Sequence, residues 1–144
     1  MKFCYLFVLL FLANCSNSEM NCEIDSKFEK YFKNSLETIR IHQEEQIGSK
    51  TPFNIEKALK FLEIMTEKKS SISVNPFGIF YNRTDDYEND MKMWNEWFEQ
   101  NKCDLSKEKV DSIYSKYRNE KKASGTPDSL INKYYPENWK NFFD

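Results

Sequence analysis

The sequence predicts an all-α domain, a compact bundle of four to five helices with one long aromatic-containing loop at about residues 68–84. Apolar residues recur at steps of three and four in four separate segments, which is the spacing of helices that bury one face. The chain lacks the long alternating patterns that are typical of half-buried strands. Its 144 residues include only three Gly and four Pro but twelve Phe, eight Tyr and three Trp. Aromatic surface is therefore ample for a core.

The first two helices are predicted between residue 25 and the end of the apolar pattern near Met65. Asp25 or Ser26 is a suitable N-cap, and Glu29 follows Ser26 at the spacing of a capping box. Gly48 ends the first helix or its frayed tail, and Asn54 can cap the second. The predicted inward positions are Phe28, Tyr31, Phe32, Leu36 and Ile39, followed by Ile55, Ala58, Leu59, Phe61, Leu62 and Met65.

Residues 68–84 are predicted to form a loop, because Pro76 and Gly78 interrupt regular structure. Residues 72–74 and 79–81 each have the composition of a short strand, although two such strands alone are only marginally stable. A loop of this length inside a compact domain is often functional, and it can also pack on the core as a lid.

Two further helices and a short final segment complete the predicted bundle. Asp85 or Asp86 begins the strongest helical pattern, and Ser106 can cap the next helix. Residues 121–127 are predicted to be a turn, and Pro136 breaks the aromatic segment that follows. The predicted inward positions are Tyr87, Met91, Trp94 and Phe98, then Val110, Ile113, Tyr114 and Tyr117. The final aromatic segment consists of Leu130, Ile131, Tyr134, Tyr135, Trp139, Phe142 and Phe143.

The N-terminal segment predicts export. Lys2 precedes an apolar run at residues 3–12, and small and polar residues follow, which is the layout of a secretory signal peptide. The run is too short to cross a bilayer as a helix, since a span takes about 20 residues. We therefore divide the chain into a signal peptide at 1–14, a tether at 15–25 and a single helical domain at 26–144.

The segment Leu12-Ala13-Asn14-Cys15 resembles the lipobox of bacterial lipoproteins, in which the cysteine is lipidated and becomes the new N-terminus. Asn14 stands where that family usually has Gly, Ala or Ser. The resemblance implies that Cys15 carries a lipid and anchors the domain at the periplasmic or outer-surface face of a bacterial membrane. The alternative is an ordinary secretory signal, cut after Cys15 or Ser18, which would release a soluble secreted protein.

Two cysteines, Cys22 and Cys103, remain in the predicted helical domain and its tether. In an exported protein they are expected to form one disulfide. It would close a loop of about 80 residues, worth roughly 4 kcal/mol in the chain-entropy model. Two buried free thiols or a single redox-active cysteine are the alternatives. Neither cysteine has the CxxC spacing or the neighbouring histidines of a zinc site.

No catalytic, cofactor or metal-binding motif is recognisable in the sequence, so no cofactor, metal or catalytic residue is predicted. His42 is the single histidine, with Glu45 one helical turn away, and Ser- or Cys-based catalysis would have to recruit it. The acidic run at residues 85–90 lacks the ligand order and central Gly of a calcium loop. Nucleic-acid binding is not expected, because the net charge is −2 and no clustered positive face is evident.

The predicted binding residues are aromatic and acidic. Trp97 lies beside the apolar stripe of its helix, and Phe77 and Phe80 lie in the predicted loop. Glu96 and Glu99 belong to the acidic segment 85–104. If this segment packed antiparallel to the basic segment 107–122, exposed ion pairs would join the two helices. A solvated structural role is the default for these acids, and a charged docking face is the alternative.

These features together predict a non-enzymatic, membrane-anchored module that binds another envelope protein or a ligand; its oligomeric state is not predicted. One alternative is a secreted inhibitor or immunity-type protein that acts through the acidic helix 85–104. The other is a hydrolase of unrecognised type built around His42 and carboxylates.

Overall fold

A computed structural model describes residues 25–45, 55–75 and 78–133, and within them the predicted all-α fold is confirmed. These residues form five α-helices, one 3-10 helix and one two-stranded hairpin. In chain order they are α1 (Ser26–Glu45), α2 (Ile55–Thr66), β1 (Ser73–Asn75), β2 (Gly78–Phe80), α3 (Thr84–Asn101), the 3-10 helix (Lys102–Asp104), α4 (Lys107–Ala123) and α5 (Asp128–Lys133).

Asp25 caps α1. Its Oδ1 accepts the backbone N–H groups of Lys27 at 2.8 Å and of Phe28 at 2.9 Å, which are two donors that the first turn leaves unpaired. Ser26 is therefore the first helical residue rather than the cap, and Glu29 forms an ion pair with Lys33 at 2.6 Å. Of the two predicted caps, Asp25 is the one that the structure uses.

The core is organised around aromatic rings from α1, α2 and α3. Phe32 is fully buried, and its ring stacks on Phe98 at a centroid distance of 4.6 Å and on Trp97 at 5.9 Å. Phe61 of α2 meets the same ring edge-on at 5.9 Å. Tilted, stacked and edge-on pairs of this kind stabilise a core beyond the area they bury.

Helix α2 is the central element, because it packs against α1, α3 and α4. Residues from nearly all sides of this helix are consequently buried. The predicted inward positions are confirmed in four helices, with buried Phe28, Phe32, Leu36, Ile39, Ala58, Leu59, Phe61, Leu62, Met65, Trp94, Phe98, Val110 and Tyr114. Ile131 of α5 is also buried.

The connection between α2 and α3 contains an antiparallel hairpin, in which Ser73 pairs with Phe80 and Asn75 with Gly78. The two strands thus occupy residues 73–75 and 78–80, one residue away from the predicted 72–74 and 79–81. Gly78 has a φ of 143°, a conformation that L-residues rarely adopt. Within the described residues, no helix combines the length and apolarity that a membrane span requires.

Candidate functional site

Two of the three predicted aromatic binding residues are half-buried in the folded protein. Trp97 is half-buried, packs against the core and stacks on Phe32 with the two ring planes 15° apart. Phe80 is half-buried in β2, and Phe77 lies outside the described residues. The position of Trp97 favours a packing role for this ring over the exposed platform that the sequence allowed.

The predicted acidic residues lie on the exposed side of α3 and have local partners. Glu96 pairs with Lys92 at 3.8 Å, and Glu99 pairs with Lys102 at 2.5 Å. No ion pair joins α3 to α4 in the part of the chain that the structure describes, because α4 packs mainly against α2 and α5. The described residues therefore show none of the ion pairs that an antiparallel pairing of these two segments would give.

His42 connects α1 to the hairpin. Its Nε2 lies 2.5 Å from the carbonyl oxygen of Ile79 in β2, and the bond holds the hairpin against the last turns of α1. No hydrogen bond between His42 and a carboxylate is found among the described residues. The side chain of Glu45, the acid that the sequence placed one turn away, is outside them.

The structure places one of the cysteines. Cys103 lies in the 3-10 helix with an exposed side chain, whereas Cys15 and Cys22 are outside the described residues. Lipidation of Cys15 and pairing of Cys22 with Cys103 therefore stay predictions. The described part of the chain holds no group of three or more His, Cys, Asp or Glu side chains that could bind a metal ion.

Asp90 is a buried carboxylate that no sequence motif singled out. It accepts the backbone N–H of Ser71 at 2.6 Å, and the Ser71 hydroxyl lies at 3.4 Å. Burial raises the pKa of Asp90. Burial also raises the pKa of the neighbouring Tyr81, and the charge of Asp90 adds to that effect. This contact fixes the segment before β1 to α3.

A cleft of about 550 Å³ lies between α2, α4 and α5, and we call it the α2–α4 cleft. Its apolar floor consists of Ile64 at the end of α2, Ile113 and Tyr117 of α4, and Leu130 of α5. Leu130 is 51% exposed and is the one large hydrophobic residue to be exposed within the described ranges.

Two backbone turns with positive φ shape the cleft. Glu67, with a φ of 54°, ends α2 and directs Lys68 and Lys69 to the rim. Gly125, with a φ of 78°, ends α4, where its N–H bonds to the carbonyl of Lys122. Glycine is the residue that tolerates such a helix end, and the reversal places α5 beside the cleft.

Five lysines and three glutamates line the rim, namely Lys60, Lys68, Lys69, Lys116, Lys121, Glu63, Glu67 and Glu120. Two ion pairs neutralise part of the charge on this rim, Lys60 with Glu63 and Lys116 with Glu67, each at 2.7 Å. Burial alone would raise the pKa of Glu63, but hydrogen bonds from Lys60 and Ser70 outweigh it and lower the pKa. Glu63 is therefore a carboxylate at neutral pH.

Three rim lysines lack an ion-pair partner among the described residues: Lys68, Lys69 and Lys121. The Nζ of Lys121 lies 5.7 Å from the centroid of the Tyr117 ring, within cation–π range. The cleft is thus locally positive although the whole chain has a net charge of −2. An apolar floor with unpaired cations above it is suited to a ligand that is both apolar and acidic.

Comparisons with protein-family models, with curated proteins and with solved structures found no match for this chain.

The cleft residues were not among the predicted binding residues, because the walls of the cleft are distant in sequence. Ile113, Lys116, Tyr117, Glu120 and Lys121 follow helical spacing, and two of them were predicted as core. The signal that was available is that Lys116, Glu120 and Lys121 share the face of Ile113 and Tyr117. When lysines share a helix face with apolar residues, that face is broader than the face that packs in a core.

Proposed function

We propose that the protein is an exported, lipid-anchored module that binds another envelope protein without catalysing a reaction, and that the α2–α4 cleft is its binding surface. The observation that carries this proposal is the cleft itself, with Leu130 exposed at its floor and with rim lysines that have no ion-pair partner among the described residues. Its volume lies within the range of pockets that bind small ligands or a few side chains, roughly 300–1,000 Å³.

Export and anchoring are supported by the N-terminal sequence, namely the apolar run at 3–12 and the lipobox-like segment that ends at Cys15. Acyl chains provide the attachment, at about 0.8 kcal/mol for each buried methylene. In the source cell, the mature protein is expected in the membrane fraction, and its mass is expected to include acyl groups on Cys15. Cys15→Ala should release it; a mature chain of unmodified mass in the soluble fraction would instead indicate the secreted alternative.

The binding surface is tested by placing a photoreactive amino acid at Leu130, with Asn95 on the exposed side of α3 as the matched control. Irradiation of cells should yield a discrete protein adduct from position 130. The adduct should disappear when Lys68 and Lys69 are both changed to Glu, although the folded protein keeps its anchor. The same adduct from both positions, or from neither, would contradict the cleft as the binding surface.

A further inference from the structure

Building on the proposed function, we propose that the α2–α4 cleft takes a short acidic peptide segment of the partner, in which Asp or Glu residues flank one large apolar side chain. A globular partner would have to cover more surface than the cleft itself, since stable protein–protein interfaces bury more than about 1,000 Å². A cleft of about 550 Å³ has room for a few side chains of an extended segment.

The apolar floor of the cleft indicates that the ligand carries one large apolar side chain as its anchor. Ile113 and Tyr117 stand one helical turn apart on α4, and Leu130 of α5 faces the same space with half of its surface in water. A Leu, Phe or Trp side chain of a ligand would cover this surface, and burial of apolar area is the main source of binding free energy.

The lysines on the rim of the cleft indicate that the ligand carries acidic residues on either side of its apolar side chain. Lys68 and Lys69 lie on the segment that leaves α2, and Lys121 lies on α4. Lys60 and Lys116 are already neutralised by Glu63 and Glu67. Three lysines and Glu120 remain, so the rim offers a ligand a net charge of +2. Carboxylates on the flanks of the anchor would meet these cations and would accelerate association at low salt.

A peptide is favoured over a nucleic acid by the same residues. Glu63, Glu67 and Glu120 lie between the lysines and would repel a continuous line of phosphates. Phosphate-backbone binding needs a clustered positive face without such interruptions. An acidic peptide can place its charges selectively and leave its apolar side chain over the floor.

The experiment measures fluorescence anisotropy of a labelled synthetic peptide in which one leucine stands between runs of glutamate, with full-length protein as titrant. Two control peptides carry glutamine for every glutamate or glycine for the leucine. We expect saturable binding of the first peptide and at least roughly tenfold weaker binding of both controls. Affinity should fall as salt rises, because the ion pairs are exposed.

Two variants locate the site. Lys68→Glu with Lys69→Glu should weaken peptide binding by roughly tenfold, and Leu130→Ser should do the same through the floor. The matched control is Lys30→Glu with Lys109→Glu, which makes the same change in net charge at exposed positions away from the cleft. All variants should keep the far-ultraviolet circular dichroism and the melting temperature of the parent protein.

Equal weakening by the control pair, or no loss with the Lys68 and Lys69 change, would overturn the acidic ligand. Two further outcomes would also overturn the acidic ligand, because they would assign the cleft to this chain itself. One is peptide binding that occurs only after residues 134–144 are removed. The other is a dimer that dissociates when Lys68 and Lys69 are changed. Photocrosslinking at position 130 without peptide binding would contradict this ligand class alone. If neither the crosslinked adduct nor peptide binding were observed, the proposed function would be contradicted as well.

Discussion

Asp90 is a carboxylate that the fold keeps almost entirely from water, with 4% of its surface exposed. Its hydrogen bonds from Ser71 favour the charged form, but the loss of solvent disfavours it more, so its pKa rises in the folded protein. The folded state then binds this proton at a higher pH than the unfolded chain. Protonation of Asp90 therefore favours folding.

The resulting prediction concerns Asp90→Asn, which keeps an acceptor for Ser71 but has no proton to lose. In the parent protein, the stabilising contribution of this site is fully present below the ordinary pKa of 3.8 and is lost as pH rises through the raised folded pKa. The free energy of unfolding of the variant, relative to the parent, should therefore increase from acidic to neutral pH. Urea denaturation at both pH values measures this difference.

Asp104→Asn is the control for that measurement, because Asp104 is exposed at the end of the 3-10 helix. Other carboxylates contribute equally to parent and variant and cancel in the comparison. A difference between parent and Asp90→Asn that stays constant with pH would show that Asp90 titrates alike in the folded and unfolded states.

At the scale of elements, Phe32 joins three helices through its ring contacts with Phe61, Trp97 and Phe98. We expect Phe32→Ala to lower the free energy of unfolding by about 3–5 kcal/mol, because it removes a fully buried ring and leaves a cavity. Phe32→Leu keeps most of the volume and should cost less than the alanine change. Chemical denaturation measures both.

Lys33→Ala is the neighbouring control on the exposed side of α1, where the solvent-exposed ion pair with Glu29 adds little to stability. If Phe32→Ala cost no more than Lys33→Ala, the aromatic cluster would not be the centre of the core.

The hairpin depends on a bond from another element, since two three-residue strands are marginal on their own. Replacing His42 with Ala removes the bond to the Ile79 carbonyl, while alanine remains a good helix former in α1. A lost hydrogen bond of about 1 kcal/mol should speed amide exchange in residues 73–80 by up to roughly tenfold. Hydrogen-exchange mass spectrometry measures it by segment.

His42→Gln is the matched variant, because its side-chain amide is able to donate to the same carbonyl. Exchange in α2 serves as the internal reference and should not change in either variant. Faster exchange throughout the protein would mean that His42 supports the core and not the hairpin in particular.

The helices could be predicted because their signal is local. Apolar residues such as Phe28, Phe32 and Leu36 repeat within one element, and the structure buries them as that repeat requires. The strands were displaced by one residue, because three residues are too few to show a period. The charges of the two segments allowed α4 to pair with α3, but α4 packs mainly against α2. Burial of apolar residues such as Val110 and Tyr114 outweighs exposed ion pairs.

At the scale of the whole molecule, the α2–α4 cleft could not be predicted, because residues 60–69 and 113–130 meet only in the folded chain. The sequence contains these lysines, but only the fold shows that Lys60 and Lys116 form ion pairs, whereas Lys68 and Lys69 have no ion-pair partner within the described ranges. The sequence shows that residue 90 is an acid, but it does not show that the fold buries Asp90.

The predicted Cys22–Cys103 disulfide also belongs to this scale, because it would tie the tether to the 3-10 helix. We expect Cys103, which has an exposed side chain, to resist alkylation in the native oxidised protein and to react after reduction. Reduction should lower the free energy of unfolding by up to roughly 4 kcal/mol. Peptide mass mapping and denaturation with and without reductant measure the two effects.

Cys22→Ser and Cys103→Ser should behave alike if the two cysteines are paired, and reductant should then have no further effect on either variant. Alkylation of Cys103 without reductant would contradict the pairing.

The walls of the α2–α4 cleft come from two distant stretches of chain that the Glu67–Lys116 ion pair joins. Unfolding therefore destroys the cleft, and any ligand seated there is bound by the folded state alone. At a concentration one hundred times its dissociation constant, such a ligand stabilises the fold by about 2.7 kcal/mol. Proteases act on the transiently open chain, so the partner would determine how long the protein persists as well as where it binds.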